Sequence, residues 1–365
     1  MRFLHTADWQ IGMRAAMLGD KGERVRVARL EAARRMIELA RREKVDFVLV
    51  AGDTFENNGV ERIKVREVAK ILGGAGCPIY IIPGNHDPIM PGSVWEESAW
   101  SEWPDIHLLV DQAPVEVPGA TLYPCPVSAK DSHDDPTAWI RPVNGGIAIG
   151  IAHGSVETPA YEQAAPVSRQ APEVHGLDYL ALGHFHSKKL YPGSNDVVRM
   201  AYCGTHEPTG FGESASGNVL IVEIPHRGAA PQIQAVRTGI LEWLTYHRKI
   251  EESGQIAALA TELDELSDPE RTLVECVVGG TLFGAEHDAL ARLLEIVEQR
   301  FLFGRSDVSG LVPDQSGPDW IEHLPEGYLR GAAQDLLSSA CASPPDPIAA
   351  AALREYSRLW REVTQ

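Results

Sequence analysis

The chain has 365 residues, of which 44% are hydrophobic and 23% charged, a composition typical of a globular protein rather than a disordered one. Its net charge of −18 opposes non-specific attraction to phosphate polymers, although metal ions or one basic face can reverse that effect locally. No stretch is long enough to span a membrane, the N-terminus lacks a signal-peptide core, and the five cysteines stand far apart. We therefore expect a cytoplasmic protein without disulfides and without a membrane partner.

The first 225 residues alternate short β-rich runs with helical patterns. Strands are predicted at 3–6 and within DFVLVAGD and PIYIIPGNHD, and the helices between them begin near residues 23 and 61. After about residue 93 the strand patterns become denser, as in ATLYPCP, GIAIGIAHG, DYLALGHFH, VRMAYCG and NVLIVEI. A βαβαβ opening followed by mainly β segments predicts an α/β fold, a β-sandwich flanked by helices.

A smaller α+β unit is predicted after about residue 241. A strand at 241–246, a helix at about 255–266, a strand at 272–278 and a helix at 286–301 suggest a capping domain over 241–310. Residues 311–327 are rich in Pro, Gly and Asp and predict a linker, and 328–365 predict a helix-loop-helix. The last helix carries a predicted apolar stripe of Ile348, Ala352, Tyr356, Leu359 and Val363, which packs either on its own domain or on a partner.

Five short polar clusters each stand where a predicted strand ends. They are Asp8 with Gln10, Asp53 in GDTF, Asn85, His86 and Asp87 in GNHD, His153 in AHG, and His184 and His186 in GHFH. Because the carboxyl ends of neighbouring strands meet at one crevice in an open α/β sheet, we expect these side chains to converge. Each cluster alone has an ordinary explanation, such as a helix cap at Asp53 or a core histidine at His153. Together, two carboxylates, two amide oxygens and three imidazoles suit two divalent ions that share a carboxylate.

The order of these motifs resembles the signature of calcineurin-like metallophosphoesterases, whose usual form is D-x-H, GD, GNH, H and GHxH. The longer segments HTADWQIG, AGDTFE, GNHDPI, DYLALGHFHSKKL and YCGTHEPTGFGE are similar, more narrowly, to the SbcD-type DNA repair nucleases. The likeness covers roughly residues 1–225. It implies a metallophosphoesterase domain there and a nuclease that hydrolyses DNA phosphodiester bonds in DNA repair and recombination.

The resemblance also implies a metal centre with two divalent ions per chain, manganese in this branch of the family. The first ion would be held by Asp8, Gln10, Asp53 and His186, and the second by Asp53, Asn85, His153 and His184. A water activated between the ions would attack phosphorus. His86 would protonate or stabilise the leaving oxygen, and Asp87 would orient the His86 ring.

Partners follow from the same resemblance. The substrate would be DNA, as duplex ends and single strands, which would place the protein at the nucleoid. The C-terminal helix pair would dock on an SbcC-like or YhaN-like coiled-coil ATPase, and the nuclease domain would form a homodimer. Trp95, Trp100 and Trp103 either belong to such an interface or pack in the core. The arginine-rich helix at about 22–44 either contacts DNA or presents a solvated face paired with glutamates.

Gln10 departs from the family pattern, which has histidine at this place. A glutamine oxygen binds hard ions such as Mn²⁺ but is a weaker donor than imidazole for softer metals. Two alternatives to an active nuclease therefore stay open. One is a catalytically weakened subunit that binds DNA or the ATPase. The other is a small-molecule phosphodiesterase or phosphatase of the same fold, which the acidic charge favours. Glu56 also departs from the family, and His206 is expected in a surface loop.

Overall fold

The computed structural model describes residues 1–129, 133–142, 145–156, 165–314, 319–344 and 346–364. It divides into two units, Met1–Leu241 and Glu242–Gln365. The strands, in chain order, are β1 (Arg2–Thr6), β2 (Phe47–Ala51), β3 (Ile79–Ile82), β4 (Ile106–Leu108), β5 (Val115–Val117), β6 (Ala120–Cys125), β7 (Ile147–His153), β8 (Tyr179–Gly183), β9 (Lys189–Pro192), β10 (Val198–Tyr202), β11 (Asn218–Glu223), β12 (Gln232–Arg237), β13 (Glu242–Ile250), β14 (Thr272–Leu282) and β15 (Phe303–Pro313). The helices are α1 (Gly22–Arg42), α2 (Arg62–Gly73), α3 (Ala171–His175), α4 (Gln255–Asp264), α5 (His287–Gln299), α6 (Asp319–Glu322), α7 (Tyr328–Ala340) and α8 (Pro347–Thr364).

The first unit contains two six-stranded mixed sheets that pack face to face. Their strand orders are β12-β11-β1-β2-β3-β4 and β5-β6-β7-β8-β10-β9. Phe3 and Leu49 of the first sheet share one buried cluster with Leu122 and Ile149 of the second. This cluster is the core between the sheets, and the predicted α/β sandwich is confirmed.

Helices α1 and α2 cover the outer face of the first sheet. Leu4 and Val48 point to that face and pack with Met36 of α1 and Val65 of α2. Both faces of the central strands are therefore buried, which explains why the strands read as nearly continuous apolar runs. Trp95 and Trp100 belong to the same cluster, so core packing, rather than an exposed interface, explains these two tryptophans.

The parallel strands of both sheets bring the polar motifs together. In the first sheet β1 pairs in parallel with β2, and β2 with β3. In the second, β7 pairs in parallel with β6 and β8, with His153 opposite Gly183. The predicted ligands lie in the loops that follow β1, β2, β3 and β8 and at the last residue of β7, and parallel pairing places these positions at the carboxyl edge of each sheet.

The second unit opens with a parallel sheet in the order β13-β14-β15. Val274 and Cys276 of β14 pack with Leu259 of α4 and Leu293 of α5. Strand β15 was not predicted, and it continues past the expected end of the capping domain at residue 310. Its middle is polar (Arg305–Ser306–Asp307), which weakens the apolar pattern on which strand prediction depends. Residues 315–318 of the predicted linker lie outside the described residues.

Helices α7 and α8 pack on each other and on β15. The Arg354 guanidinium donates a 2.6 Å hydrogen bond to the Leu311 carbonyl of β15. The buried face of α8 includes Ala349, Ala350 and Leu353, so within its own domain only Tyr356 of the predicted stripe packs inward, and packing of the stripe on a partner stays a prediction. Ile348, Leu359 and Val363 are exposed. The small alanines of α8 allow this helix to approach α7 closely. A prediction based only on large apolar residues therefore misses the buried face of α8.

Two expectations about the whole chain can be compared with the structure. All five cysteines lie among the described residues, and none of them forms a disulfide. Within the described residues, no helix combines the length and the apolar composition that crossing a membrane requires.

Candidate metal centre

The backbone at the strand ends adopts a conformation that non-glycine residues rarely take. Asp8, Gln10, Asp53 and His184 have φ angles of 54°, 49°, 52° and 106°. Such conformations cost on the order of 1–3 kcal/mol each and persist where the surrounding structure enforces them, often at functional sites. Two hydrogen bonds between the loops after β1 and β2 enforce these conformations. They run from Asp8 N–H to the Gly52 carbonyl and from Gln10 N–H to the Asp53 carbonyl (both 3.1 Å).

Two glycines allow the loops to approach closely. A Cβ atom at Gly84 would collide with the Asp53 carboxylate, and one at Gly183 would collide with the Ala51 carbonyl. Any larger residue at either place would therefore separate the GD, GNH and GHxH loops.

Four of the predicted ligands are in direct contact through their donor atoms. Asn85 Oδ1 lies 2.8 Å from His153 Nε2 and 3.0 Å from His184 Nδ1, and His153 Nε2 lies 3.4 Å from Asp53 Oδ1. The other ring nitrogen of His153 is 2.9 Å from the Ala51 carbonyl. Because a carbonyl can only accept, Nδ1 keeps its proton there, and Nε2 is the nitrogen that would give up its proton to bind an ion. These are the residues expected for the second ion.

Two residues expected for the first ion, Asp8 and Gln10, lie beside this group. Asp8, Asp53 and His153 each offer a ligand atom within 4.8 Å of the others. Gln10 is buried, and its amide nitrogen donates a 3.0 Å hydrogen bond to Asp53 Oδ2. The Gln10 oxygen Oε1 is buried without a hydrogen-bond partner. An unpaired buried acceptor is unfavourable, and a hard cation would satisfy it, so this donor set fits a divalent ion.

His186 is oriented by residues that the sequence analysis missed. Its Nδ1 lies 3.1 Å from Glu213 Oε1 and 2.9 Å from Thr209 Oγ1. The acceptor carboxylate holds a proton on Nδ1 and leaves Nε2 as the atom that would bind an ion. Thr209 and Glu213 also bond to each other. The available signal was their place in YCGTHEPTGFGE, one of the segments on which the resemblance rested.

The ionisable groups perturb one another strongly. Burial raises the pKa of Asp53, but the charge of His153 and its hydrogen bond outweigh that effect and hold the pKa at about 2. Burial lowers the pKa of His153, but the charge and hydrogen bond of Asp53 raise it to about 9. Burial also raises the pKa of Asp8 to about 6, despite the nearby histidines. Such mutually shifted groups are typical of functional sites.

His86 and Asp87 have separate structural roles. The His86 ring bonds to the Glu56 carbonyl through Nδ1 (3.0 Å). Asp87 is fully buried and accepts hydrogen bonds from the backbone N–H groups of Gly84 and Phe55 (2.7 and 2.9 Å). The expectation that Asp87 orients the imidazole is therefore corrected: the Glu56 carbonyl does so, and Asp87 joins the GNHD loop to the GDTF loop.

His206 and Arg29 are buried, contrary to expectation. His206 packs against Trp9 with ring centroids 4.9 Å apart and donates from Nε2 to the Arg29 carbonyl (2.8 Å). Arg29 is 1% exposed and donates to the Trp9 and Pro208 carbonyls (2.9 and 3.1 Å). The surface position predicted for His206 is wrong, because the GTHEP segment folds under the loop that carries Asp8.

Comparison with known proteins agrees with this geometry. Residues 1–188, more than half of the chain, match the family model described as calcineurin-like phosphoesterase. The uncharacterized metallophosphoesterase YhaO of Bacillus subtilis (strain 168) is 24% identical over 250 residues, 64% of this chain and 60% of that protein. The chain thus spans less than two thirds of YhaO. The SbcD subunit of the nuclease SbcCD of Escherichia coli (strain K12) is 21% identical over 319 residues, 73% of this chain and 74% of that protein.

Two solved structures show more distant similarity. TT1561 of Thermus thermophilus has 11% sequence identity and a TM-score of 0.43, with 65% of this chain and 98% of that chain covered. GAP50 of Plasmodium has 12% identity and a TM-score of 0.40, with 65% and 84% covered.

Proposed function

The chain belongs to the calcineurin-like phosphoesterase family, whose members are metal-dependent hydrolases, and we propose that its substrate is DNA. In this proposal it hydrolyses phosphodiester bonds with two divalent ions, manganese by preference. The observation that carries the metal-dependent hydrolysis in this proposal is the convergence of the donor atoms of Asp53, Asn85, His153 and His184 from two separate sheets. Oxygen and imidazole donors of this kind suit Mn²⁺ and Mg²⁺.

The residues divide into two ligand sets in this proposal. The first ion would be held by Asp8, Gln10, Asp53 and His186, and the second by Asp53, Asn85, His153 and His184. When bound, such ions supply a nucleophile at neutral pH and neutralise charge on the phosphate.

His86 is proposed to act on the leaving oxygen. Its backbone N–H donates to Asp53 Oδ1 (2.9 Å), which keeps the residue beside the ligands, and the Glu56 carbonyl occupies one side of the ring. Because that carbonyl can only accept, Nδ1 is protonated, and Nε2 is the atom that can transfer a proton. His86 is only partly buried, so a substrate can reach it.

Support for DNA as the substrate, and for an ATPase partner, comes from the likeness to the SbcD subunit of the nuclease SbcCD. The name of that protein describes one subunit of a nuclease complex. We propose by analogy that this chain works in DNA repair with an SbcC-like or YhaN-like ATPase that docks on α7 and α8, and that it does so as a homodimer.

The test is cleavage of linear duplex and single-stranded DNA by the purified chain in Mn²⁺. Parent protein, His86→Ala and Gln10→His are compared, and His226→Ala, which removes an exposed histidine of the same unit, is the matched control. We expect cleavage by the parent and by His226→Ala, and a loss of about 100-fold or more in His86→Ala. Absence of cleavage by both the parent and Gln10→His would contradict the proposal for the isolated chain.

The second candidate is a small-molecule phosphodiesterase or phosphatase, which the net charge of −18 favours because it opposes polyanion binding. Turnover of bis-p-nitrophenyl phosphate or cyclic nucleotides without DNA cleavage would support it.

A third candidate is a subunit weakened at Gln10, because the Gln10 amide nitrogen, rather than its oxygen, faces the Asp53 carboxylate. Cleavage by Gln10→His but not by the parent would support this candidate. Metal content after reconstitution gives an independent measure, since one ion or none per chain would agree with it.

A further inference from the structure

Phe185 lies between two predicted ligands, His184 and His186, and is 48% exposed although it is a large apolar residue. The backbone next to it is anchored, because the His184 N–H donates to both carboxylate oxygens of Asp8 (2.9 and 3.1 Å). The Phe185 backbone is therefore held between two predicted ligands. Burial in the core does not explain this aromatic side chain.

The Phe185 ring rests on a rigid support. Its centroid is 5.7 Å from that of Tyr202, with an angle of 59° between the ring planes. Tyr202 is buried, donates a 2.5 Å hydrogen bond from its hydroxyl to the Gly154 carbonyl, and accepts one from Val156 N–H (3.0 Å). Gly154 directly follows the ligand His153. Phe185 is therefore supported at the edge of the centre where His153 and His184 lie, and much of its surface is left in contact with solvent.

Cationic side chains continue from this aromatic residue along the chain. Lys188 and Lys189 follow His186, and β9 forms the edge of the second sheet. The Lys189 ammonium and the Arg169 guanidinium lie 5.2 and 5.7 Å from the centroid of the Tyr191 ring. Tyr191 in turn packs against Tyr202 at 5.9 Å. Cations close to aromatic rings are the combination that binds single-stranded nucleic acid with little sequence preference, and here they occur in a chain of net charge −18.

We propose that Phe185 stacks on the nucleobase next to the scissile phosphodiester, while Lys189 and Arg169 contact phosphates of the same strand. This inference rests on the proposed function, because it takes DNA as the substrate. A base inside a duplex has both faces covered by its neighbours, whereas an unpaired base can offer a face to Phe185. The site therefore favours single strands and frayed ends over closed duplex.

The first experiment measures kcat/KM for single-stranded oligonucleotides that carry either normal bases or abasic residues beside the cleaved bond. Phe185→Ala is expected to lower kcat/KM on the normal oligonucleotide by roughly 10-fold to 100-fold and to leave cleavage of the abasic one at the parent level. Phe185→Trp should restore cleavage, since indole also stacks. Val174→Ala, which trims an exposed apolar residue of α3, is the control and should match the parent. Equal losses on both oligonucleotides would mean a structural role and would overturn the proposal.

A second measurement separates this proposal from the nuclease proposal. Quenching of 2-aminopurine fluorescence in a single-stranded oligonucleotide reports stacking on the base. The fluorescence is measured in Mg²⁺ with the His86→Ala protein and with the His86→Ala/Phe185→Ala double variant. Quenching that is lost only in Phe185→Ala supports stacking even if the parent cleaves no DNA. Cleavage by the parent, with quenching unchanged in Phe185→Ala, overturns stacking and leaves the nuclease proposal intact. If the protein shows neither cleavage nor quenching, both the stacking proposal and the nuclease proposal are contradicted.

Discussion

Single side chains at the metal centre depend on neighbours that are not themselves predicted ligands. His153 takes its tautomer from the Ala51 carbonyl, and His186 from the Glu213 carboxylate. A histidine ligand whose second nitrogen is held in this way has its ring already oriented for a metal, which increases affinity. Glu213 is thus a positioning residue in our interpretation, acting on an ion only through His186.

Glu213→Gln should weaken Mn²⁺ binding by roughly 10-fold, and up to 100-fold, because the His186 ring loses its carboxylate acceptor. Isothermal titration of the purified chain with Mn²⁺ measures this without relying on catalysis. Glu223→Gln removes an exposed carboxylate from β11 and is the matched control. An unchanged affinity in Glu213→Gln would show that His186 does not need this carboxylate.

Helix α1 illustrates how one element carries two kinds of arginine. Arg26 and Arg34 form exposed ion pairs with Glu23 and Glu31, as the solvated-face interpretation predicts. Arg29 on the same helix is buried, and burial lowers its pKa to about 10, although nearby carboxylates such as Glu207 oppose that shift. It therefore stays charged at neutral pH and ties α1 to the loops at Trp9 and Pro208.

Arg29→Met should lower the free energy of unfolding by about 3 kcal/mol, because two buried carbonyls lose a charged donor. Arg35→Met changes an exposed arginine of the same helix and should alter the free energy of unfolding by less than about 0.5 kcal/mol. Urea denaturation followed by circular dichroism measures both. Equal effects of the two substitutions would mean that the Arg29 contacts contribute nothing to stability.

The stability of the whole molecule should depend on pH through histidines buried in neutral form. His5 lies between the Tyr179 hydroxyl and the Leu182 carbonyl, and burial lowers its pKa from 6.5 to about 3. Burial also lowers the pKa of His206 to about 3. Between the folded pKa of about 3 and the unfolded pKa of 6.5, the unfolded chain binds more protons than the folded one. The free energy of unfolding therefore falls as the pH drops below 6.5.

His5→Gln should make this decline shallower by about 1.4 kcal/mol per pH unit between about pH 6 and pH 4, because one such proton difference is removed. The measurement is the free energy of unfolding of parent and variant at several pH values in that window. The slope is the test, since the variant can also be less stable at every pH. Parallel curves would show that His5 is not neutral in the folded protein.

The convergence of the predicted ligands could be expected from the sequence because it depends on local regularities. Each of Asp8, Asp53, Asn85, His153 and His184 follows an apolar run that forms a buried strand, and parallel strands bring their ends to a common edge. A strand needs only its own apolar pattern to be recognised. The two sheets and the helices α1, α2, α4 and α5 could be expected for the same reason.

The tertiary structure decided what depends on contacts between distant parts of the chain. Arg29 reads as one more arginine on a polar helix, and it is buried because Pro208, 179 positions away, supplies an acceptor. His206 and Glu213 lie in a loop without periodicity, and their roles arise only when that loop folds against Trp9 and His186. Strand β15 and the buried face of α8 were missed because polar or small residues can be held by neighbours that no local pattern specifies. Hydrophobic periodicity records which segments are buried, whereas the partner of a buried polar group is settled by the fold alone.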